Sequence, residues 1–79
     1  MDKDKIAAMI RFHRKKSGLS QAELGKIAGL GKTVIFDAEH GKLSIRFETL
    51  LKILNVLNIK IEFKGPLMHR FEEHFNEKN

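Results

Sequence analysis

The sequence predicts an all-α domain of four to five short helices, with one β-strand near its C-terminus. Three observations predict it. Apolar residues recur at the helical period in several short stretches, the clearest being Phe47, Leu50, Leu51, Leu54 and Leu57. Serine caps and glycine stops separate those stretches. The period then switches once to strict alternation, in Ile59-Lys60-Ile61-Glu62-Phe63-Lys64. The 79 residues allow one domain, near the small end of what folds unaided.

The first helix is predicted over Asp4–Ser17, with Ile6, Met9, Ile10 and His13 on one stripe and Gly18 as its stop. Ser20-Gln21-Ala22-Glu23 is a capping box, so a second helix runs from there to about Ala28. Gly29-Leu30-Gly31 breaks the pattern, and a third helix runs from Lys32 to about His40, stopped by Gly41. The loop Gly41-Lys42-Leu43-Ser44 leads to the fourth helix, which carries the Phe47 to Leu57 stripe and Glu48 in its first turn. Gly65-Pro66 ends the alternating segment.

A single strand has no ladder for its backbone groups, and the same strand from a second copy supplies one. Ile59, Ile61 and Phe63 therefore predict a dimer strand. The alternatives are a helix continued past Leu57 or a strand lying unpaired on the core. In the tail, Met68, Phe71 and Phe75 fall at i, i+3 and i+7, which fits either a short amphipathic helix docked on a partner or a frayed end.

Composition narrows the function. A chain this short leaves little room for an enzyme cleft, and no nucleophile–base pair or paired carboxylates stand out, so no enzymatic activity and no cofactor are expected. The absence of cysteine excludes disulfides and thiolate metal sites, and no apolar run of ~20 residues or signal peptide appears. A cytoplasmic protein without a membrane partner is expected. The formal charge of +5 and the pI near 9.8 favour an anionic partner, of which nucleic acid is the commonest. Residues 1–18 carry a net +4 and residues 45–66 a net +2, whereas residues 67–79 carry −1.

Gly31-Lys32-Thr33 spells the end of a phosphate-binding P-loop. That loop needs a glycine at position 26, where this chain has Lys26, and it must follow a buried strand rather than a helix. In the tail, His69, Glu73 and His74 resemble a shuffled zinc motif, but histidines five apart do not share a helical face, so no metal is expected. A short helix, a glycine-bearing break and a second short helix form instead a helix-turn-helix unit.

Leu19-Ser20-Gln21-Ala22-Glu23-Leu24, Ile27-Ala28-Gly29-Leu30, Val34-Ile35, Glu39-His40-Gly41-Lys42 and Phe47-Glu48-Thr49-Leu50-Leu51-Lys52, in that order and spacing, resemble the Xre/Cro-type helix-turn-helix family. The resemblance covers about residues 6 to 58. It implies a lambda-repressor-like fold and a transcriptional repressor. The strand, the Gly-Pro stop and the short tail are similar to the HipB-like antitoxin subgroup, whose dimers are sealed by a strand from each subunit. That likeness implies a homodimer on a palindromic operator in double-stranded DNA, with a HipA-like kinase toxin as second partner and a nucleoid-associated location. A protein-interaction inhibitor with weak DNA binding and a stand-alone Xre-type regulator are the alternatives. The expected organisation is a DNA-binding domain over 1–58, a dimerisation strand over 59–66 and a tail over 67–79.

In this geometry the third helix lies in the major groove. Lys32, Thr33, Phe36 and Asp37 then face DNA, Val34 is borderline, and Ile35 and Ala38 face the core. Lys32 can donate to guanine or to a phosphate, and Thr33 can bond either way. Phe36 can press on a thymine methyl, and Asp37 can accept from a cytosine amino group. Gln21 and the helix end it opens can hold a phosphate, as can Lys42. Each has a plainer reading: solvated charge for Lys32 and Lys42, capping for Gln21, burial for Phe36, and for Asp37 either a plain cost to affinity beside a polyanion or a brace for Lys32. The resemblance further implies that Arg14 and Glu39 form a structural ion pair. It also marks departures: Gly31 stands where a Ser or Thr cap is usual, Val34 replaces a common threonine, Phe36 a serine, and Asp37 a basic or amide residue. His13 reads as a core-edge histidine bonded to backbone.

Overall fold

Helix α1 spans Lys3–Lys16 and starts at Asp2, whose carboxylate accepts from the Asp4 and Lys5 N–H groups at 2.9 and 3.3 Å. The computed structural model describes residues 2–42 and 44–78; Met1, Leu43 and Asn79, which fall in the expected first domain, inter-helix loop and tail, lie outside the described residues. Helix α2 spans Gln21–Ala28 behind a complete capping box: Ser20 Oγ accepts from the Glu23 N–H at 3.0 Å, and Glu23 Oε1 accepts from the Ser20 N–H at 2.9 Å. Gly29, at φ +73°, turns the chain out of α2, and the Leu30 N–H returns to the Gly25 carbonyl at 2.7 Å. Helix α3 spans Lys32–Glu39, one residue shorter than expected, and its cap Gly31 offers no side-chain bond.

Helix α4 spans Phe47–Val56. Its end is a Schellman turn: Asn58 sits in the left-handed region at φ 59°, and the Ile59 N–H donates back to the Leu54 carbonyl at 2.9 Å. Residues 59–65 then form neither helix nor strand in the isolated chain. Helix α5, Met68–Lys78, completes an all-α order of five helices among the described residues. None of them is long and apolar enough to cross a membrane.

The core draws one fully buried side chain from each of the first four helices: Ile10, Leu24, Ile35 and Ile53. Ala38, Leu54 and Leu57 complete it, and Leu19, Leu30, Ile45 and Ile59 pack around its edge. Helix α3 lies against both α1 and α2, and α2 against α4. The α4 stripe differs from the sequence expectation. Ile53 is fully buried, whereas Phe47 and Leu51 expose 59% and 41% of their surface. The core face of α4 is rotated from the expected stripe towards Ile53, which leaves Phe47 and Leu51 on the far edge.

The chain exposes more than a compact monomer of its size would. Its radius of gyration is 15.0 Å, against about 12 Å for a compact chain of this length. Its surface is 6394 Å², against about 4900 Å² for a compact 9.1 kDa monomer, an excess of about 1500 Å². Phe47, Leu51, Ile61, Phe63, Leu67 and Phe71 are among the large apolar side chains left exposed.

Candidate nucleic-acid interface

The turn between α2 and α3 is set by steric fit. A Cβ on Gly25 would lie 2.7 Å from the Leu30 carbonyl oxygen, so only glycine lets the turn close this tightly over α2. Ile35 and Ala38 are buried beneath α3, and the opposite side of that helix is open. Lys32, Thr33 and Phe36 are exposed there, Val34 and Asp37 half-buried.

A buried bracket holds α3 from behind. Arg14 on α1 donates from Nε to Glu39 Oε2 at 2.6 Å and from Nη2 to Glu39 Oε1 at 2.9 Å. Its Nη1 donates to the Leu19 carbonyl at 2.8 Å, and Gln21 Nε2 donates to Glu39 Oε1 at 3.3 Å. One carboxylate at the end of α3 therefore ties α1 to the first residue of α2, and the Arg14 it holds also anchors the α1–α2 loop through Leu19. Burial works to raise the Glu39 carboxyl, but hydrogen bonds from Arg14 and Gln21 and the charges of Arg14 and Arg11 outweigh it, holding the group below its ordinary range. The hydrogen bonds to Glu39, with the charge of that carboxylate, raise Arg14 above its ordinary value despite its burial. Gln21 thus spends its amide on the bracket as well as opening α2. His13 is tied to its own helix, its Nδ1–H donating to the Met9 carbonyl at 2.6 Å.

Two further pairs reshape the open face. Asp37 accepts from Lys42 Nζ at 3.4 Å, so it braces Lys42 and not Lys32, and the two opposite charges offset each other. Phe36 is not buried against a neighbour: its ring stacks on His40, 3.9 Å between centroids and 22° between planes. The His40 Nδ1–H donates to the Phe36 carbonyl at 2.7 Å, leaving Nε2 turned away from the helix. Arg46, the cap residue of α4, lines a shallow cleft of about 220 Å³ together with Asp37, Lys42 and Thr49. His40 and Arg46 were missed by the sequence reading. The i, i+4 spacing of Phe36 and His40 and the basic residue opening α4 were the available signals. Among the described residues, no group of three or more His, Cys, Asp or Glu side chains is placed to hold a metal ion.

An exposed first turn bearing Lys32 and Thr33, set by a tight glycine turn and braced from behind by a buried ion pair, is the arrangement of a helix-turn-helix module. Comparison with known proteins agrees: a family model described as helix-turn-helix matches residues 10–64. The chain belongs to that helix-turn-helix family. It is 36% identical over 61 residues to the uncharacterized HTH-type transcriptional regulator y4mF of Sinorhizobium fredii (strain NBRC 101917 / NGR234), covering 77% of this chain and 80% of that one. It is 31% identical over 61 residues to the ImmF control region 10 kDa protein of Bacillus phage phi105, covering 77% and 68%. Among solved structures, a chain of a HipA-HipB-O2-O3 complex superposes with a TM-score of 0.75 at 23% identity, covering 84% of this chain and 93% of that one. At that identity the likeness is one of fold.

Proposed function

We propose that this protein is a dimeric, sequence-specific DNA-binding repressor, and that it is the antitoxin of a toxin–antitoxin pair, repressing its own operon and neutralising a HipA-like kinase toxin. The observation that carries the DNA-binding reading is the exposed first turn of α3, mounted on the Arg14–Glu39–Gln21 bracket. Lys32 reads guanine, Thr33 bonds a neighbouring base or phosphate, and Phe36 presses on a thymine methyl with its face fixed by His40. Lys42 contacts a phosphate against the offsetting charge of Asp37, and Gln21 with the start of α2 holds another. The toxin part of the reading is supported by the fold shared with HipB in its complex with HipA.

The dimer forms through residues 59–64 and the outer edge of α4. The excess surface of about 1500 Å² per chain falls within the roughly 1000–2500 Å² per subunit that obligate dimers remove. The sequence also selects the register. With Ile61 on the two-fold axis of an antiparallel pair, Ile59 meets Phe63 of the partner subunit and Lys60 meets Glu62 of the partner subunit. Shifting the axis to Glu62 would put Glu62 against its own copy and lysine against lysine. A two-fold dimer in turn demands a palindromic operator with half-sites about 34 Å apart.

A gel-shift titration with DNA from immediately upstream of the gene, at two salt concentrations, tests the reading. Retardation is expected, with log affinity falling by about 0.9 per phosphate neutralised for each unit of log salt. No retardation at low salt would refute it. The offset Asp37–Lys42 pair favours a second reading, a protein-interaction inhibitor that binds DNA weakly. A kinase-like gene next to this one separates an antitoxin from a stand-alone regulator.

A further inference from the structure

Two apolar surfaces in this chain have no cover from its own core. One is a groove of about 550 Å³ along α4, lined by Phe47, Leu51, Asn55, Ile61 and Phe63. The other is on α5 and the turn leading into it, where Leu67 and Phe71 expose 62% and 57% of their surface. Among the described side chains α5 contributes none to the core, and the non-helical stretch 59–65 separates it from α4 along the chain.

We propose that α5 is an exchanged arm that docks in the α4 groove of a second copy of this chain, laying Phe71 on Phe47 and Leu51 of the partner subunit. The inference rests on the antiparallel dimer proposed above. In that register Lys64 lies beside Asn58 of the partner subunit, where the partner's α4 ends. Three residues separate Lys64 from Met68, and the four steps between them span at most about 14 Å, so α5 begins next to the partner's α4 rather than its own. The lengths agree: the 11 residues of α5 and the 10 of α4 are each roughly 15–17 Å long. The charges agree too. Glu72, Glu73 and Glu77 on α5 meet a surface bearing Lys52 and Lys64, Lys60 being taken by Glu62 of the partner subunit in the strand pair. Among the described residues Lys52 has a loose contact with Glu48 at 3.9 Å and Lys64 has no ion pair. This pairing accounts for the mildly acidic tail of a basic chain.

The chain has no cysteine, so single-cysteine variants report without background. Full-length Leu51→Cys and Phe71→Cys are mixed and oxidised; both positions are exposed, so the fold is retained. A disulfide-linked heterodimer containing one of each variant is expected to dominate over the like-with-like products. Full-length Phe71→Ser is expected to raise the dimer dissociation constant about tenfold or more. Closure of the Leu51→Cys/Phe71→Cys double variant within single chains, only like-with-like products, or an unchanged constant in Phe71→Ser would overturn the exchange while the strand dimer stands. A full-length chain that sediments as a monomer overturns the dimer and the exchange together.

Discussion

Arg14→Met removes three hydrogen bonds at once, two to the Glu39 carboxylate and one to the Leu19 carbonyl. It leaves a carboxylate whose side chain is 1% exposed with a single long bond from Gln21 at 3.3 Å. Breaking one side of a buried ion pair costs about 3–5 kcal/mol, and the surviving Gln21 bond places this case near the lower end, about 3 kcal/mol. That is a large share of the roughly 4–12 kcal/mol expected for a 79-residue domain. Arg14→Met/Glu39→Leu removes both charges and should return to within about 1.5 kcal/mol of the parent. The pH dependence gives a second check. The Glu39 carboxyl is depressed in the folded parent, so its contribution is complete above the unfolded value of about 4.3 and is lost as pH falls through the folded value. In Arg14→Met burial acts without the arginine, the carboxyl shifts upward, and the penalty falls as the group protonates. The gap between parent and variant should therefore narrow from pH 7 to pH 4. Urea unfolding followed by circular dichroism, at one fixed protomer concentration, measures all of this. A loss under about 1 kcal/mol, a double variant no better than the single, or a gap independent of pH would refute the bracket.

Lys32→Ala should weaken specific operator binding by about 1–3 kcal/mol and non-specific binding far less; equal losses in a competition gel shift would reduce Lys32 to a phosphate contact. Asp37→Asn frees the Lys42 ammonium from its 3.4 Å partner, so affinity at low salt should rise and the salt slope should steepen by up to about one per subunit. Gly25→Ala drives a Cβ against the Leu30 carbonyl and should lower thermal stability by about 1–3 kcal/mol, with a melting curve as the measurement. Lys60→Glu or Glu62→Lys alone should weaken the dimer, and the two together should restore it in analytical ultracentrifugation; an unrestored double variant rules out the register centred on Ile61.

The helices were legible because their signals are local. The Ser20–Glu23 box and the glycine after Ala28 each act within a turn, and the structure forms both. The outward set Lys32, Thr33 and Phe36 and the buried Ile35 and Ala38 follow from the helical period alone. Contacts across longer gaps were not legible. No periodicity links Arg14 to Glu39, 25 residues apart; only the family resemblance suggested the pair. The α4 stripe misled because a helix with apolar residues on more than half its face does not say which part meets the core, and Ile53 won over Phe47 and Leu51. Asp37 and Lys42 sit on opposite sides of a helix end, where the local path of the chain decides which charges meet. Alternation in 59–64 encodes two faces, but it names no pairing partner.

Asn58 makes the joint between α4 and the segment 59–65 stiff. The Ile59 N–H is bonded to the last turn of α4, so no flexible link separates the core from residues 59–64. In a dimer joined through those residues, the two copies of α3 work like calipers locked at one opening. Such an instrument measures as well as reads: an operator with correct bases at a wrong spacing must be bent or untwisted to fit, at a cost of about 1–6 kcal/mol in the DNA. Part of the selectivity of this small protein would then lie in a single left-handed asparagine that never approaches a base.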